Sequence, residues 1–230
     1  MKLTTINFEF NGHTATVIRP EKPNGKWLWK AEFFHDFDKA EEELSRLGYT
    51  RVYYSVSNMY GSDRAIRLMH DFYRFIVKEY GLAEKCTLFG YSRGGLYAFN
   101  FALYYPEYVE GIYLDAPVLD MRSWPPEGSR EREEVYREYG LSPETIRTSG
   151  AHPVENFDEF FSHGVPLMLV LGDSDELVPP SENGFKMIEY CRSRGINIRT
   201  VVKPGCGHHP HSLADVAPII EFVTGGKNEG

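Results

Sequence analysis

From residue 27 onward, short apolar runs alternate with stretches whose apolar residues recur every three or four positions, and this alternation restricts the fold more than any other feature. Residues 27–31, 51–56, 86–89, 111–114, 167–171 and 198–202 have the length and the aliphatic and aromatic content of buried strands. Between them lie helical patterns. Residues 36–47 place Phe37, Ala40, Leu44 and Leu47 on one face, with Gly48 as the stop. Residues 63–80 carry Ile66, Met69, Tyr73, Ile76 and Tyr80 at helical steps, closed by Gly81. Residues 94–105, 182–194 and 213–223 complete the set. Strands joined by crossover helices demand a mostly parallel sheet covered on both faces. Ahead of them, two alternating runs, 3–10 and 14–18, flank Asn11-Gly12, a type I′ hairpin signal. The expected architecture is α/β, with eight strands of which the first two are antiparallel.

At 230 residues the chain is sized for one domain, 1–230. Only residues 116–164 break the rhythm. They hold Trp124-Pro125-Pro126, a charged helical pattern at 129–139 with Glu133 and Arg137 spaced i, i+4, and a second short helical pattern after Ser142-Pro143. This stretch reads as a lid insertion over the carboxyl edge of the sheet. The net charge of −8 gives no positive field for a phosphate backbone or an anionic membrane, so nucleic acid and membranes are not expected partners. The first ten residues show neither a secretory signal nor a spanning segment, which gives a cytoplasmic expectation. The three cysteines, Cys86, Cys191 and Cys206, fit reduced thiols, with a Cys191–Cys206 bridge as the alternative for an exported protein.

The chemistry concentrates at three strand ends. Gly90-Tyr91-Ser92-Arg93-Gly94 lies between a strand and a helix, the context of a nucleophile elbow. Asp173 and Asp175 follow the strand at 167–171, and His208, His209 and His211 follow the last strand. A serine hydroxyl is a weak nucleophile that needs a base and an acid to orient the base, and both are supplied in the order Ser, Asp, His.

On these motifs the chain resembles the α/β-hydrolase superfamily over nearly its whole length. Through Trp29-Lys30-Ala31-Glu32-Phe33-Phe34, Ser92-Arg93-Gly94-Gly95 and His208-His209-Pro210-His211 it is similar to bacterial serine esterase-like members. The resemblance implies Ser92 as nucleophile, Asp175 as acid and His208 as base, with Asp173 a turn former and Asp115 a reserve acid. The oxyanion hole is expected from the N–H of Arg93 and one from the loop after the third strand, where Glu32 or Phe33 stands in place of the common His-Gly pattern. Glu32 fits either substrate contact or a buried paired carboxylate, and Arg93 either a substrate anion or a structural carboxylate. Phe33, Tyr91 and Trp124 are the expected substrate contacts, with Tyr136 and Tyr139 able to face the site. No cofactor and no metal are expected, because Pro210 and one-residue spacings do not set three imidazoles on one helical or strand face. The expected function is a serine hydrolase cleaving a small acyl or acetylated-carbohydrate ester. A peptidase or amidase on the same residues is the alternative, and a non-catalytic binding protein of the same fold is the third reading.

Overall fold

The computed structural model of the chain describes residues 2–226. The hairpin is β1 (Leu3–Phe10) and β2 (His13–Pro20), paired antiparallel with Phe10 opposite His13 across the Asn11-Gly12 turn. Then follow β3 (Trp27–Lys30), α1 (Lys39–Arg46), β4 (Thr50–Tyr54), α2 (Asp63–Tyr80), β5 (Cys86–Tyr91), α3 (Gly94–Tyr104) and β6 (Val109–Asp115). After the long connection, which contains α4 (Arg130–Tyr139) and α5 (Phe157–Ser162), come β7 (Leu167–Gly172), α6 (Gly184–Arg194), β8 (Arg199–Lys203) and α7 (Ala217–Thr224). All eight strands form one sheet in the order β1-β2-β4-β3-β5-β6-β7-β8, parallel from β4 to β8.

This is the α/β-hydrolase architecture, and its strand order explains where chemistry can sit. The chain winds outward from β3 to β4 and then back across to β5, which leaves a crevice at the carboxyl ends of the central strands. One face of the sheet is closed by α1 and α7 through Ala40, Leu44, Ile219 and Val223. The other face is closed by α2, α3 and α6, whose Ile66, Met69, Phe101 and Met187 join Trp29 and Leu88 in the main core. The ends of α2 follow sequence chemistry: the Ser62 hydroxyl accepts the Ala65 N–H, and Gly81 takes the left-handed conformation that ends the helix. Its Tyr54–Phe72 stack, 4.4 Å between centroids, ties the helix to β4. The three cysteines are all unpaired. No described helix is long and apolar enough to cross a membrane.

The stretch 116–164 builds an apolar cluster of its own. Trp124, Val135, Tyr136 and Ile146 pack with Tyr60, Leu96 and Val178. Two expectations for it change. The i, i+4 ion pair found on α4 is Arg130–Glu134, at 2.9 Å, because Glu134 also accepts the Tyr60 hydroxyl. Tyr136 and Tyr139 turn to local partners: the Tyr136 hydroxyl donates to Glu127 and the Tyr139 hydroxyl to the Tyr60 carbonyl.

Candidate active site

Ser92 follows β5 with φ of +49°, a left-handed conformation that costs free energy in any residue with a Cβ. Hydrogen bonds on both sides hold it there. Its N–H donates to the Asp115 carbonyl, and its carbonyl accepts from Gly95 and Val118. Gly95 has no room for a side chain, since a Cβ there would lie 2.6 Å from Pro117. The turn therefore presents the Ser92 side chain at the start of α3.

From the other side, the loop after β8 brings His208, whose Nε2 lies 2.9 Å from Ser92 Oγ. His208 Nδ1 lies 2.6 Å from Asp175 Oδ2, on the loop after β7. A carboxylate at Nδ1 fixes that nitrogen as the N–H donor and leaves Nε2 to accept from the hydroxyl. The second oxygen, Asp175 Oδ1, accepts the N–H groups of Leu177 and Val178, both at 2.9 Å. Burial alone would raise the Asp175 carboxyl, but His208 and these two amides hold it below the ordinary carboxylate range.

The acid and base loops are locked together through backbone. The Ser174 N–H donates to the Cys206 carbonyl at 3.0 Å, and the Gly205 N–H donates to Asp173 at 2.7 Å, which gives Asp173 the turn-forming role. Gly172 sits so tightly beneath the base loop that a Cβ would fall 2.2 Å from the Cys206 carbonyl oxygen.

Asp115 is not within that chain of hydrogen bonds. It is fully buried and serves a second histidine, with Oδ1 taking His211 Nδ1 at 2.8 Å. Its Oδ2 takes the Ser212 N–H at 2.8 Å and the Tyr113 hydroxyl at 2.6 Å. The sequence assigned His211 no partner. The available signal was an aspartate ending β6, facing a histidine three positions beyond His208. The spacing argument against a histidine cluster also fails, because the loop turns back on itself. One ring nitrogen each of His208, His209 and His211 lies within 4.8 Å of the others.

On the opposite rim stand Glu32 and Arg93. The sequence offered each a structural partner, and they partner each other. Arg93 Nε and Nη2 donate to Glu32 Oε2 at 3.1 and 2.8 Å, while the buried Glu32 Oε1 has no partner among the described residues. Burial opposes the Arg93 charge, but Glu32 more than restores it. The guanidinium also lies over the Phe33 and Tyr60 rings. Among the described residues, no acceptor takes the N–H of Glu32, Phe33 or Arg93. Phe33 itself has φ of +56°. This loop is anchored beneath by Lys30, which pairs with Glu41 at 2.8 Å although both are buried. Burial pushes the Lys30 ammonium down and the Glu41 carboxyl up.

Of the expected substrate contacts, Tyr91 needs correction. It is fully buried, its hydroxyl 3.4 Å from Glu41 and its ring under Lys30, so no substrate reaches it. Strand alternation explains this, since the residue before an elbow serine points to the sheet's opposite face. Trp124 is nearly buried beside Tyr60, the ring that also meets Arg93.

The model of the prolyl oligopeptidase family matches residues 63–224, well over half of the chain and a span holding Ser92, Asp175 and His208. The chain belongs to the prolyl oligopeptidase family. It is a serine hydrolase of the α/β-hydrolase superfamily. Glu32 and the loop around it lie outside the matched span. No curated protein matches the sequence. Among solved structures, the substrate-bound fluorophosphonate-binding serine hydrolase F of Staphylococcus aureus superimposes with a TM-score of 0.72 at 14% identity, covering 98% of each chain. The S-formylglutathione hydrolase of Agrobacterium tumefaciens gives 0.64 at 14% identity, over 96% of this chain and 90% of that one. A puromycin-hydrolyzing peptidase of Mycobacterium tuberculosis gives 0.70 at 13% identity. The present chain covers 96% of its own length there but only 38% of the peptidase. These identities speak to the fold alone.

Proposed function

We propose that the protein hydrolyses a short peptide or aminoacyl amide through an acyl-enzyme on Ser92. The supporting observation is the unbroken chain Asp175–His208–Ser92 inside a span that belongs to a peptidase family. His208 takes the Ser92 proton as Oγ attacks the carbonyl carbon, and the imidazolium formed is stabilised by Asp175. The oxyanion is received by the N–H of Arg93 and one of the N–H groups of Glu32 and Phe33. His208 then gives its proton to the departing amine, a water attacks the acyl-enzyme, and the same groups run in reverse.

A second reading, hydrolysis of a small carboxylic ester, is favoured by the end-to-end overlap with hydrolase F and the S-formylglutathione hydrolase. Measuring kcat/KM for aminoacyl aminocoumarin amides beside p-nitrophenyl esters of the same acyl groups separates the two. Amide turnover that disappears in Ser92→Ala is the expected result. Ester turnover with no amide turnover would replace the first reading with the second. In either case Trp124, stiffened by Pro125 and Pro126, is proposed to cap the acyl side as part of a lid. Short acyl groups should then be preferred, and Trp124→Ala should flatten the chain-length profile.

A further inference from the structure

We propose that His208, His209 and His211 form a site for a borderline-soft divalent cation, zinc(II) above all, and that filling it switches off the hydrolysis. The switch rests on the function proposed for Ser92, whereas the site itself does not. One ring nitrogen from each histidine already lies within 4.8 Å of the other two. The rings are set edge to face, with centroids 4.8 to 5.1 Å apart. Two of the three are prepared as ligands, because His208 Nδ1 is tied to Asp175 and His211 Nδ1 to the buried Asp115. Each carboxylate fixes the tautomer that leaves Nε2 with its lone pair, as outer carboxylates do around bound zinc.

His209 supplies the third nitrogen from an exposed ring. Its ring is stacked on Phe37 at 5.8 Å. At zinc–nitrogen distances of about 2.0–2.1 Å, tetrahedral ligands stand about 3.3 Å apart, so the nitrogens must draw together by at most about 1.5 Å. The exposed His209 ring has the freedom to make most of that movement. Three imidazoles select zinc or copper over magnesium or calcium, which prefer oxygen.

The consequence for catalysis is direct. His208 Nε2 is the atom that accepts from Ser92 Oγ. A cation on that lone pair leaves no base, Ser92 keeps its proton, and a water fills the fourth position.

The test uses metal-stripped full-length protein and Zn²⁺ alone, with calorimetry for binding, Co²⁺ visible absorption for geometry, and fluorophosphonate labelling for Ser92. One ion per chain, intense tetrahedral Co²⁺ bands and loss of labelling on zinc addition are expected. His209→Ala should keep metal-free labelling within about twofold while weakening zinc binding at least about tenfold. The exposed His163→Ala should bind as the parent does. Ser92→Ala should still bind zinc, which separates the site from the activity. Absence of stoichiometric binding, or equal affinity in His209→Ala, overturns the site. Stoichiometric binding that leaves Ser92 labelling untouched overturns the switch.

Discussion

Two histidine–aspartate pairs stand three residues apart on one loop, His208 with Asp175 and His211 with Asp115, and their hydrogen bonds are nearly the same length at 2.6 and 2.8 Å. What differs is the surroundings of each ring. His208 looks onto the Ser92 hydroxyl, whereas His211 is wedged against Phe37 with its carboxylate partner fully buried and also bound to Tyr113 and Ser212. Under the proposed function the first pair moves protons and the second ties down the loop that carries the first. The pairing alone therefore does not single out a base; the hydroxyl at the other ring nitrogen does.

The sharpest way to break this contrast is to remove each imidazole. His208→Ala should lower kcat/KM by about 10³-fold or more, with no further loss when combined with Ser92→Ala. His211→Asn should stay within about tenfold once the folded fraction is taken into account. Equal losses in two well-folded variants would erase the distinction. Next in size is Asp115→Asn, which breaks a buried charged cluster and should cost about 3 kcal/mol in denaturant unfolding. Asp175→Asn should cost less stability and far more turnover. A smaller effect is expected at Lys203, whose Nζ donates to the carbonyls of Pro210 and Ser212 in the same loop. Lys203→Met should reduce kcat by a few fold with little change in KM, and an unchanged kcat would show that the loop needs no such tether.

The smallest effect concerns a third neighbouring pair, His152 and Asp120, 3.6 Å apart in the 116–164 stretch. Here the ring is kept neutral: Nδ1 accepts the Met121 N–H, and Nε2 donates to the Ile146 carbonyl. Burial lowers the His152 pKa below the ordinary value of 6.5. Between that lowered value and 6.5 the unfolded chain binds more protons than the folded one, so stability must fall as pH drops below about 6.5. Burial raises the Asp120 carboxyl, but Arg122 and Lys186 hold it below its ordinary range, which adds a second loss as pH drops below about 4. Melting temperatures from pH 7.5 to 5 should decline, and the slope should shrink in His152→Gln. An unchanged slope would place the acid sensitivity elsewhere.

The sheet was legible because its signals are local: apolar runs, helical periodicity and glycine stops each depend on a few neighbouring residues. The fold, the Ser92 turn and the aspartate and histidine loops all lie where strand ends deliver them. What escaped depends on contacts between residues distant in sequence. The Arg93–Glu32 pair joins positions 61 apart, and Asp115 meets His211 across 96. Tyr91 is set instead by the alternation of side chains along β5, which turns it to the face opposite Ser92. The helix at 129–139 was legible, while the direction of its tyrosines was set by Glu127 and the Tyr60 carbonyl, which periodicity does not report.

The absent side chain at Gly172 has a consequence for motion. With the end of β7 pressed against the Cys206 carbonyl and the Ser174 amide bonded to it, the acid and the base cannot drift apart independently. Asp175 and His208 ride on a single clamp, and under the proposed function a substrate would find room on the side of Phe33, Tyr60 and Trp124.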